Sequence, residues 1–172
     1  MTEVRSIPAD AVVRLVRRHQ DEVWRYVRYL GASTELADDL VQEAFLQLLR
    51  APFRESSEAE TAGWLRTVVR NLYVRSFRRP PFEHAELDEL ESTWRTFAQD
   101  DGGADALVHL RHCVDGLSGR LRDVVRWHYE ERCSRKVIGE RLGLGEDGVK
   151  SLLRRTRQAL KTCVEQRREA GA

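Results

Sequence analysis

The sequence has little of several features that mark other classes of protein. It contains no run of 18 apolar residues, so it predicts no membrane-spanning helix. Its first residues lack the apolar core of a signal peptide, so we expect no secretory leader. Only three of the 172 residues are cysteine, and they show no C-x-x-C spacing. An odd number of cysteines without this spacing predicts a reduced, cytoplasmic protein.

The net charge is also small, at +1, but the charges are segregated along the chain. Residues 83–105 hold eight acidic side chains against one arginine, and residues 132–168 hold eleven lysines and arginines against four acidic side chains. Residues 60–82 hold five arginines against one glutamate. Two basic blocks around an acidic one predict binding to a polyanion at two places, and the alternative is a set of solvated helix faces.

Apolar residues recur at helical spacing, and no strand-like alternation occurs, so the predicted fold is all-α. Thr34 can cap a second helix whose inward face ends in Leu48 and Leu49, and Pro80 with Pro81 stops a third helix. We expect two small helical domains, residues 8–81 and 105–165. The acidic residues 82–104 read as a linker with a short helix around LDELESTW.

The stretch GLGEDG, which begins at Gly143, has the G-x-G-x-x-G spacing of a dinucleotide-binding loop. No strand precedes it, and Glu146 and Asp147 would repel a pyrophosphate, so we expect no cofactor there. The residues fit a helix-turn-helix instead, with a first helix capped by Ser134. Gly143 would permit a positive-φ turn, and Gly145 would cap the second helix. We expect Leu144 to plug the space between the two helices.

The second helix of this motif has an apolar inward face that includes Leu152. Its outward face carries Lys150, Ser151, Arg154, Arg155 and Arg157. In a DNA-binding helix-turn-helix, such a face enters the major groove and contacts base edges and phosphates. The alternative is a solvated basic helix.

Two distant stretches carry a family resemblance. The first comprises ELADDLVQEAFLQLLR followed by TAGWLRTVVRNLYVRSFRR. The second is LSGRLRDVVRWHYEERCSRKVIGERLGLGEDGVKSLLRRTRQALK. In order and spacing, from about residue 10 to residue 163, the chain resembles an extracytoplasmic-function (ECF) RNA polymerase sigma factor of the sigma-70 family with regions 2 and 4 only. The resemblance implies two all-α domains and a role in transcription initiation. No nucleophile–base–acid arrangement is visible in the sequence, so we expect no enzyme activity, and we expect no cofactor or metal.

The resemblance also implies partners and contact residues. The DDLVQEAF segment is similar to the surface that grips the coiled coil of the largest polymerase subunit, with Asp38, Asp39, Gln42 and Glu43 as its polar contacts. The flap of the second-largest subunit is the other expected polymerase contact. For Asp38 and Asp39, the alternative role is stabilisation of a helix amino terminus.

For the −10 element, the resemblance implies that arginines of the third helix hold phosphates and that Asn71 occupies a family position. These arginines are Arg66, Arg70, Arg75, Arg78 and Arg79. Family members typically have an acidic residue where this chain has Arg75. Residues 53–63 lie where such factors capture a base flipped from the non-template strand, which assists melting. We expect Trp64 to belong to the core.

For the −35 element, the resemblance implies contacts from Lys150, Ser151, Arg154, Arg155 and Arg157. Three residues depart from the family pattern. Gly145 replaces the usual Ser or Thr cap, Gly148 replaces a Thr that commonly contacts phosphate, and Leu152 replaces a common Arg. Glycine in a helix costs about 1 kcal/mol relative to alanine, so we expect the start of this helix to fray. The acidic linker would run toward the polymerase active centre and RNA exit channel.

Three functional hypotheses remain open at this point. The first is a sigma factor that recognises −35 and −10 elements, as duplex and as non-template single strand, without inserting into a membrane. The second is a stand-alone helix-turn-helix regulator, which would have no use for the DDLVQEAF surface. The third is a sigma-like protein held inactive by an anti-sigma partner. A zinc site is not expected, because His109, His112 and Cys113 lack a second ligand pair.

Overall fold

The computed structural model describes residues 8–50, 57–77, 82, 84–99, 101 and 103–171, and this part of the chain is helical without strands. Contacts divide the chain into two units, Met1–Pro80 and Pro81–Ala172. The first unit holds α1 (Ala9–Tyr29), α2 (Thr34–Arg50) and α3 (Glu58–Arg75). The helices of the second unit are α4 (His84–Phe97), α5 (Ala104–Asp115), α6 (Gly119–Val125), a π-helical segment (Arg126–Glu130), α7 (Arg135–Leu142) and α8 (Glu146–Gly171). None of the described helices is long and apolar enough to span a membrane.

The first unit is a three-helix bundle in which each helix packs against the other two. Each helix contributes fully buried side chains, for example Val27, Leu48 and Val69. The hydroxyl of Tyr73 on α3 donates to the carbonyl of Leu30 at the end of α1, at 2.7 Å. This hydrogen bond satisfies a buried polar group and fixes α3 against the α1–α2 turn.

Local sequence explains where the helices of the first unit begin and end. After α1, Gly31 adopts a φ of 97°. The amides of Gly31 and Ala32 donate to the carbonyls of Arg28 and Val27, which is a Schellman motif. The residue that caps α2 is Ser33 rather than the predicted Thr34, because the Leu36 amide donates to the Ser33 hydroxyl at 3.2 Å.

The second unit has two hydrophobic clusters, and α8 contributes to both. The amino-terminal half of α8 supplies Val149 and Leu153 to one cluster, with Val124 and Ile138. The carboxyl-terminal half supplies Val164 to the other, with Phe97, Ala106 and Cys113. Helix α8 therefore joins the helix-turn-helix to a second core built on α5.

A disulfide between Cys113 on α5 and Cys163 on α8 lies in this second cluster. The prediction that the cysteines are reduced is wrong for this pair. The two residues are 50 positions apart, so only the packing of α5 against α8 brings their sulfurs together. Cys133 is the free cysteine.

The acidic segment that the sequence predicts to be a linker contains a helix of 14 residues with a buried apolar face. Its helix α4 buries Leu87, Trp94 and Phe97, and Trp94 is fully buried. The contact division places this helix within the second unit. The sequence indicated only a short helix here, because the acidic residues mask the apolar face formed at helical spacing.

Candidate nucleic-acid and polymerase interfaces

The helix-turn-helix is built from α7, a left-handed turn at Gly143, and α8. The Ser134 hydroxyl caps α7 by accepting from the Val137 amide at 3.3 Å, as the sequence predicts. Gly143 has φ 67° and ψ 34°, a conformation that glycine adopts without steric cost. The Leu144 amide donates to the Gly139 carbonyl at 2.9 Å, which draws the turn onto α7.

Leu144 does not plug the space between α7 and α8, so this prediction is wrong. Its side chain is 37% exposed, whereas Ile138 and Val149 are fully buried between the helices. The turn approaches α7 through its backbone instead, because a Cβ atom added to Gly139 would collide with the Leu144 carbonyl oxygen. The Leu144 side chain lies against Gly148, at ordinary van der Waals distance from where a Cβ would be.

The outer surface of α8 carries the exposed side chains of Ser151, Arg154 and Arg155, with Lys150 half-buried. Arg154 and Arg155 make no ion pair with any residue that the structure describes. Beside them lies a mostly apolar groove of about 500 Å³. Its lining residues include Arg120, Leu121, Leu144, Gly148, Leu152 and Arg155. Two of the family departures, Gly148 and Leu152, therefore form part of one surface.

Arg157 is placed differently from the other predicted −35 residues. Its guanidinium donates to the Glu86 carboxylate of α4 at 2.5 Å, and both side chains are only 15% exposed. It also lies 3.5 Å from the Tyr129 hydroxyl. Burial raises the pKa of Tyr129 above its ordinary value, and the nearby Arg157 opposes that rise. The prediction that Arg157 faces outward is thus wrong, and its spacing of four from the core residue Leu153 is the signal that was missed.

On α2, the predicted polymerase contacts Asp39 and Gln42 are exposed, while Asp38 and Glu43 have local partners. The Trp24 indole donates to Asp38 at 2.7 Å. The Gln47 amide donates to Glu43 at 3.2 Å. The exposed residues continue along one helical stripe into Leu46 and Leu49, each 37% exposed. The prediction that Leu49 faces inward is wrong, and helical spacing did not indicate that Leu46 and Leu49 would be exposed together.

On α3, the predicted −10 residues fall into several environments. Arg66 forms an ion pair with Glu22 of α1 at 2.7 Å and is 12% exposed, so its guanidinium serves the bundle. Arg70 and Trp64 are half-buried, and Asn71 and Arg75 are exposed. Arg78 and Arg79 lie outside the described residues, as do residues 53–56 of the predicted base-capturing segment. The described end of that segment opens α3, where the Arg18 guanidinium donates to Glu58 at 2.7 Å and lowers the pKa of that carboxyl.

Two family models match the chain, one in each unit. Residues 15–80 match sigma-70 region 2, and residues 107–160 match sigma-70 region 4. The first match spans most of the three-helix bundle. The second runs from α5 to residue 160, and so includes α7, the turn at Gly143 and the amino-terminal half of α8.

Curated relatives point the same way. The chain is 27% identical over 154 residues to the ECF RNA polymerase sigma factor SigE of Mycolicibacterium smegmatis. This alignment covers 86% of this chain and 59% of the M. smegmatis protein. The chain is 27% identical over 165 residues to the ECF RNA polymerase sigma factor SigL of Mycobacterium tuberculosis, covering 92% and 93%. The RNA polymerase sigma factor YlaC of Bacillus subtilis is 27% identical over 167 residues, covering 93% and 95%.

Proposed function

The chain belongs to the sigma-70 family as an ECF sigma factor with regions 2 and 4, and from this premise we propose how its two units direct transcription initiation. Such a protein binds RNA polymerase core and promoter DNA. The first unit would bind polymerase and open the −10 element, and the second would read the −35 element. The observation that carries this assignment is the pair of unpaired, exposed arginines, Arg154 and Arg155, on the second helix of a helix-turn-helix, among the residues that the structure describes.

For polymerase, we propose that α2 packs against the coiled coil of the largest subunit. Asp39 and Gln42 would supply polar contacts, and Leu46 and Leu49 would supply apolar area in the same stripe. Asp38, held by the Trp24 indole, and Glu43 would flank the contact. The flap of the second-largest subunit would bind the second unit. Charged side chains around an apolar centre are the usual anatomy of a specific protein interface.

For the −10 element, Asn71 and Arg75 are the exposed α3 residues that would contact DNA, with Arg78 and Arg79 following them in sequence. Arg70 would support these contacts. Arg66 would not contact DNA directly, because its guanidinium forms an ion pair with Glu22 that stabilises the three-helix bundle. Residues 53–63 would capture a base from the non-template strand. Unstacking a base costs a few kcal/mol, so capture of that base favours the opened strand.

For the −35 element, Lys150, Ser151, Arg154 and Arg155 would face the major groove. Arginine pairs well with guanine edges and with phosphates. The apolar strip of Leu144 and Leu152 beside them suits the methyl group of thymine. Arg157 would hold α8 on α4 and would not touch DNA.

The remaining parts of the proposal concern regulation and location. A separate anti-sigma protein would hold the factor inactive by covering these surfaces, and the protein would act in the cytoplasm without inserting into a membrane. It would catalyse no reaction itself. Constitutive activity in cells, without any co-purifying inhibitor, would contradict the anti-sigma proposal.

Run-off transcription with purified core polymerase and genomic DNA fragments tests the function directly. We expect discrete transcripts that depend on the added protein, and co-elution of the protein with core. The variant Arg154→Ala with Arg155→Ala should retain core but lose most of the transcript. A protein that binds duplex DNA specifically, yet neither retains core nor starts a transcript, would be the stand-alone regulator instead.

A further inference from the structure

The disulfide pair lies where two long helices of the second unit meet. Cys113 on α5 is 6% exposed, and Cys163 on α8 is half-buried. Leu110 of α5 and Leu160 of α8 pack against the same cluster. Cys133, before α7, is half-buried and free, so the chain offers an internal control for thiol chemistry.

The position of the bond connects it to the DNA-facing surface. Cys163 lies on the helix whose other half carries Ser151, Arg154 and Arg155. The amino end of that helix is weakly specified, because Gly145 precedes it and Gly148 lies in its first turn. Packing of the far half of α8 against α5 adds to the order of this helix, and the disulfide joins the two helices there.

We propose that Cys113 and Cys163 form a reversible dithiol–disulfide pair that exchanges with low-molecular-weight thiols and disulfides. The oxidised pair holds α8 in its DNA-binding arrangement, and reduction loosens it. Proteins that act on RNA polymerase work where thiols keep most disulfides reduced, so a disulfide in such a protein is typically a redox-responsive one. The DNA part of this inference rests on the proposed function, whereas the exchange itself does not.

The exchange balances in atoms and electrons. The Cys163 thiolate, which is the more accessible, attacks one sulfur of a small disulfide and releases one small thiolate. The Cys113 thiolate then attacks the Cys163 sulfur of the mixed disulfide and releases the second. Two electrons pass from the cysteine pair to the small disulfide, and the two cysteine protons end on the two small thiols. Reduction is the reverse, beginning with attack of a small thiolate on Cys163.

Thiol trapping in glutathione redox buffers tests the exchange. We expect one two-electron transition within the range of glutathione ratios, read as alkylation of both cysteines in intact-protein mass spectra. Cys113→Ala or Cys163→Ala should abolish the transition, and Cys133→Ser should leave it unchanged. A pair that stays oxidised or stays reduced at every ratio would overturn the proposal.

Hydrogen exchange followed by mass spectrometry tests the structural consequence in the full chain. Reduction should speed exchange of the α5 and α8 peptides at least tenfold, while the peptides of α1–α3 serve as an internal reference. The double variant Cys113→Ala with Cys163→Ala should exchange like the reduced protein in either buffer. Equal exchange in the oxidised and reduced wild type would contradict the proposed loosening.

Promoter binding by the reconstituted holoenzyme tests the functional consequence. On a promoter found by run-off transcription, we expect reduction to weaken binding at least fivefold in the wild type and in Cys133→Ser, but not in the double alanine variant. Promoter-specific transcription with equal binding in both redox states would overturn the DNA part alone. Absence of transcription in either state would refute the proposed function and this DNA part together, and trapping and hydrogen exchange would still decide the exchange.

Discussion

Two kinds of arginine stand within one turn of each other on α8. Arg154 and Arg155 are exposed, whereas Arg157 donates to Glu86 and approaches Tyr129. The carboxylate of Glu86 already neutralises the charge of the Arg157 guanidinium and accepts its hydrogen bond, so this guanidinium is not available to bind a phosphate. The charge of a basic helix is therefore a poor guide to its DNA contacts unless the partner of each side chain is known.

This difference predicts opposite phenotypes. Arg154→Ala with Arg155→Ala should leave stability nearly unchanged and should lower the salt slope of −35 duplex binding by about 2, because each arginine displaces about one counterion. Arg157→Ala should keep the salt slope and lower the free energy of unfolding by about 2 kcal/mol, a typical loss for a hydrogen bond to a charged group. Salt titrations of duplex binding and urea unfolding measure the two effects. Glu86→Gln is the matched control for Arg157→Ala, and a reduced salt slope in Arg157→Ala would show that this arginine does reach the phosphates.

Tyr129 gives the second unit an alkaline limit. Its folded-state pKa is raised above the ordinary 10.0 by burial. The resulting stability is fully present below pH 10 and is lost as the pH rises through the folded-state pKa, because ionised tyrosine then favours the unfolded chain. We expect the unfolding free energy of the wild type, measured relative to that of Tyr129→Phe, to be constant from pH 7 to about pH 9.5. Above that pH, the wild type should become less stable relative to the variant. Urea unfolding across this range measures the difference, and a difference that grows at high pH would refute the prediction.

At the scale of elements, the helix-turn-helix depends on two glycines for different reasons. Gly139 leaves room for the Leu144 backbone, and a Cβ atom there would meet the Leu144 carbonyl oxygen. Gly148 has no such need, because a Cβ atom there would lie 3.6 Å from the Leu144 Cβ. One glycine is required by a close approach of two backbones, and the other only weakens the helix that contains it.

Alanine substitutions separate these roles. Gly148→Ala should raise the free energy of unfolding by about 1 kcal/mol through helix propensity. Gly139→Ala should lower it by about 1–3 kcal/mol, because the turn must move off α7. Circular dichroism during urea unfolding measures both. Stabilisation by Gly139→Ala would mean that the turn tolerates the displacement.

The same elements show what periodicity can and cannot predict. The sequence predicted the helix-turn-helix, its Ser134 cap and its positive-φ Gly143, because these depend on residues a few positions apart. It misplaced Leu144, because glycine at position 139 brings the backbone, and not a side chain, between the helices. The Cys113–Cys163 bond and the Arg157–Glu86 ion pair join residues that are 50 and 71 positions apart. Only tertiary packing decides such pairs.

At the scale of the whole chain, the near-zero net charge conceals a separation of charge within the second unit, which holds both the acidic residues 83–105 and the basic residues 132–168. Part of the acidic block lies in α4, where the carboxylate of Glu86 forms an ion pair with Arg157 of the basic helix α8. The segregation predicted polyanion binding, and the family matches bear out a DNA-binding protein. The net charge does not reveal that some of the opposite charges neutralise each other within the second unit.

The proposed polymerase surface lies on α2 of the first unit and the proposed −35 surface on α8 of the second, so we expect that polymerase binding and −35 reading can be lost separately. Asp39→Ala with Leu46→Ser changes only exposed α2 side chains, so stability should shift by no more than about 0.5 kcal/mol per substitution. Affinity for core polymerase should fall at least about tenfold, which corresponds to about 1.4 kcal/mol, with −35 duplex binding unchanged. Fluorescence anisotropy with labelled protein measures both.

The matched control is Val13→Ser, which alters an exposed apolar residue of α1, 49% exposed, outside the α2 stripe. It should bind core like the wild type. Single exposed apolar residues are common on protein surfaces and usually make no specific contact. If Val13→Ser nevertheless weakens core binding as much as the α2 variant does, the polymerase surface extends beyond the α2 stripe. If neither variant affects core binding, α2 is not the contact, and the exposed leucines Leu46 and Leu49 then face another partner of the first unit.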